Sequence, residues 1–156
     1  MPVLTRQFSV PKPIEAAYQF LATVQRIPEY TQVPGINGGS PAPLAAGARW
    51  KNRGATLKMP SWDTTTVKEV TRGRIAWHTR SMVLGIIPVG ADWSYTLETP
   101  AGGGPTTTIT NTFEAVTMFG LPVGAMIKAP FLPMVYLARG TMMASEAKLR
   151  KALGAT

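Results

Sequence analysis

The sequence predicts an α+β fold in which an antiparallel sheet, wet on one side, is covered on the other by one long C-terminal helix. Three observations lead there. The late segments Arg74–Val83, Ala91–Thr99 and Thr106–Val116 alternate apolar and polar residues with period two. The last stretch, Pro133–Leu153, spaces Val135, Ala138, Met142, Ser145, Leu149 and Leu153 as one helix face. No other block of the chain is long enough to cover an apolar sheet face, which antiparallel strands with one wet side require.

The elements follow in order. Leu4–Val10 reads as a first strand, with Leu4, Arg6, Phe8 and Val10 on one side. Pro11 and Pro13 end it, and Pro13 suits the first turn of a helix, where a missing N–H costs nothing. Ile14–Val24 then has helical spacing (Ile14, Ala17, Tyr18, Leu21), and Pro28 opens a second short helical turn through Glu29 and Tyr30. From Thr31 to Ala46 the chain is rich in Gly, Pro and Ala and reads as loop, with at most one short strand.

Gly47–Arg53 is strand-like, Ala48 and Trp50 opposing Arg49, Lys51 and Arg53. Trp62–Thr71 is rich in Thr and Val, and Gly73 turns it into Arg74–Val83. In Ala91–Thr99, Trp93, Tyr95 and Leu97 face one way. The turn Pro100–Pro105 then leads to a strand on which Thr107, Ile109, Asn111, Phe113 and Ala115 share a face. The end of the long helix carries Lys148, Arg150 and Lys151, favourable at the negative pole of its dipole.

Composition narrows the functions. The 156 residues suit a single domain, 1–156, with a core that needs no staples. Hydrophobic residues are 45% and charged residues 15%, which excludes a disordered chain. There is no cysteine, so disulfides, thiolate metal sites and cysteine nucleophiles are excluded. The net charge of +8 permits anionic partners, but the basic residues are dispersed and not interleaved with aromatics, so nucleic acid is not the expected partner. Met1–Val10 holds one Arg and no long apolar core, unlike a signal peptide. Met118–Leu137 is apolar, but Lys128, Pro122, Pro130 and Pro133 argue against a membrane-spanning helix. A cytoplasmic protein, able to touch a membrane peripherally, is the expectation.

Strand, two short helices, about six antiparallel strands and one long helix is an order that resembles the START-like helix-grip domains of the SRPBCC superfamily. The local text is similar to the polyketide cyclase/dehydrase and lipid-transport branch. The matching segments are Phe8-Ser9-Val10-Pro11-Lys12-Pro13-Ile14-Glu15-Ala16-Ala17-Tyr18, Gly47-x-Arg49-Trp50, Arg74-Ile75-Ala76-Trp77, Asp92 to Glu98, and Thr107-x-Ile109-Thr110. This resemblance implies a cavity between the concave sheet face and the long helix. Carried onto this sequence, the lining is Trp50, Val67, Trp77, Trp93, Tyr95, Ile109, Asn111, Phe113, Val135 and Met142. Asn111 interrupts an apolar face, where an amide without a partner costs about 1–3 kcal/mol. It either orients a polar group of a ligand or bonds a water or Tyr95.

Candidate chemistry is thin. His78 is the only histidine and by strand parity points outward with Arg80, so neither a two-histidine metal site nor a histidine-activated nucleophile is expected. The acids lie mostly on the wet side, with Glu69 sharing the parity of Val67 as an exception. No cofactor is expected, and Gly102–Gly104 reads as a hairpin turn rather than a phosphate cradle. Apolar residues instead crowd three connections: Leu57, Met59 and Pro60; Leu84 to Val89; and Met118 to Leu132. In the helix-grip topology these meet at one end, so Met59, Ile86, Ile87, Phe119, Ile127 and Phe131 are candidates for a pocket mouth, unless they fold inward as core. With Lys58 and Lys128 alongside, such a mouth suits transient contact with an anionic membrane.

The leading functional reading is a carrier or binder of a hydrophobic small molecule (lipid, isoprenoid, quinone or polyketide). The alternatives are a polyketide cyclase or aromatase, and an adaptor that docks a partner enzyme at a membrane.

Overall fold

The computed structural model describes residues 4–31, 44–56, 59–122 and 132–154, with the backbone alone at 55–56, 115–116, 122 and 132–137. Strand β1 (Leu4–Val10) leads into α1 (Ile14–Leu21), a 3-10 turn (Val24–Arg26) and α2 (Ile27–Tyr30). Strands β2 (Arg49–Thr56), β3 (Met59–Thr71), β4 (Arg74–Val83), β5 (Ile87–Glu98), β6 (Thr107–Met118) and β7 (Leu121–Pro122) follow, and α3 (Leu132–Ala152) closes the order. The seven described strands join one antiparallel sheet in the order β1-β6-β5-β4-β3-β2, with β7 paired to β6. This is the α+β fold that the alternation and the long terminal helix predict, in the helix-grip arrangement that the family resemblance implies.

The strands pack their apolar side against the helices. Phe8 and Val10 of β1, Trp50 of β2, Val67 of β3, Ile75 and Trp77 of β4, Tyr95 and Leu97 of β5 and Ile109 of β6 form one core with α1, α2, and Leu149 and Leu153 of the α3 end. Toward the other end of the sheet, Val83, Val89 and Phe113 pack with Ala138 and Met142 of α3, and Trp93 touches both groups. An edge clamp adds to this burial. Arg6 of β1 donates to Glu146 of α3 through Nε at 2.8 Å, and Arg150 donates to the same carboxylate at 2.9 Å. Burial works against ionisation of Glu146, but these two guanidinium groups outweigh it and hold its carboxyl below the usual range.

Two irregularities bend the sheet. The register shifts between Val67 and Glu69 on β3, and between β5 and β6 at Asp92/Trp93. Bulges of this kind add one residue to a strand and sharpen its twist. The first one corrects the expectation for Glu69. Its parity with Val67 is broken at Lys68, and Glu69 lies 3.2 Å from Arg74, whose other partner Glu114 is also bonded to Ser94. Glu69 therefore belongs to the outer face.

The strands also run further than the sequence predicts. Met59 and Pro60 lie in β3, and Ile87, Pro88 and Val89 lie in β5, where loop was expected. Proline argues against strand because it cannot donate to the ladder. Here both prolines serve as acceptors: Leu84 N–H donates to Pro60 O at 2.9 Å and Phe119 N–H to Pro88 O at 3.0 Å. Residues 32–43 of the loop expected from Thr31 to Ala46, and residues 123–131 of the stretch from Met118 to Leu137, fall outside the described residues. No described helix is long and apolar enough to cross a membrane.

Candidate functional site

The inner face of the sheet carries an aromatic wall. Trp77 and Tyr95 stand side by side on β4 and β5 with ring centroids 5.6 Å apart, and Trp93 packs on Phe113 at 4.4 Å. Tyr30 of α2 meets Tyr95 edge-on at 5.9 Å, a geometry that aromatic quadrupoles favour. Of the ten lining residues expected from sequence, Trp50, Val67, Trp77, Tyr95, Ile109, Asn111, Phe113 and Met142 are buried and Trp93 is half-buried. Val135 lies on α3 where only the backbone is described.

A hydrogen-bonded chain crosses this wall. Ser145 of α3 donates to the Tyr30 carbonyl at 2.5 Å, which leaves its oxygen to accept from the Tyr95 hydroxyl at 2.7 Å. The Tyr95 oxygen in turn accepts from Asn111 Nδ2 at 3.5 Å. Asn111 thus reaches Tyr95, while its Oδ1 is buried with no hydrogen-bonding partner among the described residues. Burial pushes the Tyr95 phenol up to about 12, against the opposing effect of its bond with Ser145. The Tyr30 phenol is raised well above its ordinary value by burial and by the neighbouring Tyr95.

A second polar group on the inner face gathers around Asp63, although the sequence pattern sets the acids, Glu69 excepted, mostly on the wet side. The register sets Asn52 of β2 opposite Asp63 of β3, and Asp63 opposite Ser81 of β4. Thr65 and Thr79 continue the band one pair along and share a 3.0 Å hydrogen bond. Asp63 accepts from Ser61 Oγ at 2.8 Å and from Asn52 Nδ2 at 3.4 Å. Asn52 is buried, and both its Oδ1 and the Nε1 of buried Trp50 lack hydrogen-bonding partners among the described residues. The available signal was parity: Asp63, Thr65 and Val67 alternate on one side of β3 before its bulge.

The outer face holds a further cluster of charged groups. His78 lies there, as parity predicts, half-buried with Nδ1 2.8 Å from Asp92, which also pairs with Lys68 at 2.8 Å. Burial opposes ionisation of Asp92, but the bonds from Lys68 and His78 prevail and lower its pKa. No group of three or more metal-ligating side chains gathers among the described residues.

The expected mouth is divided. Ile86 and Phe119 are exposed, Met59 and Ile87 are half-buried, and Ile127 and Phe131 lie outside the described residues. Exposed Trp62, Leu84 and Leu121 stand at the same end of the sheet. The bonds from Leu84 to Pro60 and from Phe119 to Pro88 draw the β2–β3, β4–β5 and β6–β7 ends together. Leu84 and Phe119 both adopt a left-handed backbone, each with φ of 52°, directly before Gly85 and Gly120. Bulky apolar residues rarely occupy that conformation.

Comparison with solved structures agrees with this architecture: the chain has the fold of START-like helix-grip proteins. A START superfamily protein from Mycobacterium smegmatis is similar over 97% of this chain and 96% of its own, with a TM-score of 0.64 and 11% identity. A conserved protein from Geobacillus kaustophilus is similar over 96% of this chain and 93% of its own, with a TM-score of 0.69 and 13% identity. Major latex-like protein 151 from Panax ginseng is similar over 96% and 95% of the two chains, with a TM-score of 0.60 and 10% identity. No protein-family model matches the chain, and no curated protein matches it.

Proposed function

We propose that this chain is a single domain that binds or carries a hydrophobic small molecule between the inner sheet face and α3. The observation behind this reading is the pairing of an aromatic wall with buried polar atoms left over on the same face. Asn111 Oδ1, Asn52 Oδ1 and Trp50 Nε1 each lack a partner among the described residues. A buried polar atom without a partner costs about 1–3 kcal/mol, and an ordinary core avoids it. A binding site accepts that cost because a ligand returns the bonds, and apolar walls with a few placed polar groups suit such ligands.

The test is titration with N-phenyl-1-naphthylamine, a neutral apolar fluorophore, exciting the protein's tryptophans. Saturable binding with energy transfer from the Trp77–Trp93 wall supports the reading. Failure to bind the fluorophore, with only bare protein mass in native mass spectrometry, overturns it.

A second reading concerns the end of the sheet. Trp62 and Leu84 are each 52% exposed, Phe119 65%, Leu121 68% and Ile86 73%. Two of the five hold a backbone conformation that Gly or Asn would adopt at less cost, so their apolar side chains have a use other than making the turn. Exposed Lys51, Arg53 and Arg80 lie on the adjoining strands. These features suit reversible docking on an anionic bilayer, and the apolar side chains contribute about 1.5–3 kcal/mol each only if fully buried.

A further inference from the structure

The band around Asp63 differs in kind from the rest of the inner face. It is a carboxylate whose bonded partners, Ser61 and Asn52, are both neutral, and it makes no ion pair among the described residues. The seat is shaped for it. A Cβ at Gly54 would collide with the Asp63 Oδ2 and stand 3.3 Å from Ser61 Oγ, so only glycine leaves the carboxylate its position.

Asn52 turns its amide nitrogen to the carboxylate, which leaves its oxygen as a second acceptor, unpartnered among the described residues and in a residue only 5% exposed. An ionised carboxylate has about four acceptor positions, and the described residues fill two of them. The Asp63–Asn52 pair is thus negative and has acceptor positions that no donor fills among the described residues.

We propose that Asp63 and Asn52 form the polar end of the ligand site and select an apolar ligand that carries a hydrogen-bond donor, a protonated amine above all. This inference rests on the apolar site proposed above. A cationic donor gains from the carboxylate both a charge-assisted bond and charge neutralisation. A hydroxyl gains the bond alone, and an anionic head group meets repulsion. The overall charge of +8 favours the opposite order, so a preference for amines reports the local group and not the global field.

The experiment displaces bound N-phenyl-1-naphthylamine at pH 7.5 with three probes of one chain length, all below micelle formation: dodecylamine, 1-dodecanol and dodecanoate. The expected order of displacement is amine, alcohol, carboxylate, with about ten-fold or more between the extremes, as one charge-assisted bond gives. Asp63→Asn is expected to remove most of that ratio. Gly54→Ala is expected to do the same without changing charge, by pushing the carboxylate from its seat. Each variant is read as a ratio of constants, so that a general weakening cancels.

Dodecanoate displacing as well as dodecylamine from the wild type overturns the proposal, and so does a ratio unchanged in folded Asp63→Asn or Gly54→Ala. If Asp63→Asn does not fold, the wild-type order and Gly54→Ala decide. Absence of fluorophore binding to the wild type is a different result: it removes the apolar site itself, and this subsite with it.

Discussion

Removing the Tyr95 hydroxyl and the Ser145 hydroxyl separately and together tests whether the chain from Asn111 to Tyr30 ties sheet to helix. Tyr95→Phe keeps the ring, 3% exposed, and its packing on Trp77 and Tyr30. It deletes one 2.7 Å bond to Ser145, worth about 0.5–1.5 kcal/mol net. It also deletes the contact from Asn111 at 3.5 Å, which is too long to add much. The expected loss is about 1–2 kcal/mol.

Ser145→Ala strands two buried groups, the Tyr95 hydroxyl and the Tyr30 carbonyl, and is expected to cost about 2–4 kcal/mol. In the double variant there is no hydroxyl left to strand, so the combined cost falls short of the sum by about 1 kcal/mol or more. Urea unfolding followed by circular dichroism measures all three, with thermal shifts of about 2–4 °C per kcal/mol for a domain of this size. Costs that add within about 0.5 kcal/mol refute the coupled chain, as does a Tyr95→Phe variant as stable as the wild type.

Raised phenol pKa values make the fold sensitive to base: stability is complete below the unfolded tyrosine value near 10 and falls as pH rises toward the folded value of about 12 for Tyr95. Absorbance at 295 nm should therefore rise together with loss of near-ultraviolet circular dichroism. Titration of Tyr30 and Tyr95 near pH 10 in the folded protein would contradict their burial. His78→Ala is expected to leave fluorophore binding within about two-fold and to cost under about 1 kcal/mol, because the group it leaves is an outer-face pair that Lys68 still serves. A larger loss of binding would place His78 in the site. Ile86→Asp and Phe119→Asp should each weaken co-sedimentation with vesicles containing anionic lipid, more clearly at low salt; unchanged attachment, or none by the wild type, removes the docking reading.

The fold was legible because both of its signals are periodic. Trp93, Tyr95 and Leu97 alternate with residues on the other face, and Met142, Ser145 and Leu149 recur at helical spacing, so strand parity and helix face followed directly. What periodicity does not carry is the place where a strand gains a residue. The bulge at Lys68 reverses every parity beyond it, and Glu69 moved from inner to outer face on that account alone. Pro60 and Pro88 misled for a related reason. A proline weakens a strand by lacking a donor, yet each sits where only its carbonyl is asked for a bond.

The site was less legible than the wall behind it, and for a physical reason. Reading inward and outward from alternation assumes that the inner residues are apolar, so a polar band on the inner face erases the signal by which it would be found. On β3 the inner positions are Ser61, Asp63 and Thr65, while Trp62 between them is 52% exposed. Taken alone, that segment reads with its faces exchanged. Only Val67, four residues beyond Asp63 and before the bulge, sets the parity correctly. The partner Asn52 comes from another strand, and register alone brings it opposite Asp63. A local pattern that contradicts the fold it belongs to is costly unless something offsets it, and such conflicts concentrate where a protein binds rather than where it only packs. The inverted stretch of β3 is such a conflict, which is why Asp63, rather than any residue of the aromatic wall, is the position where ligand choice is expected to lie.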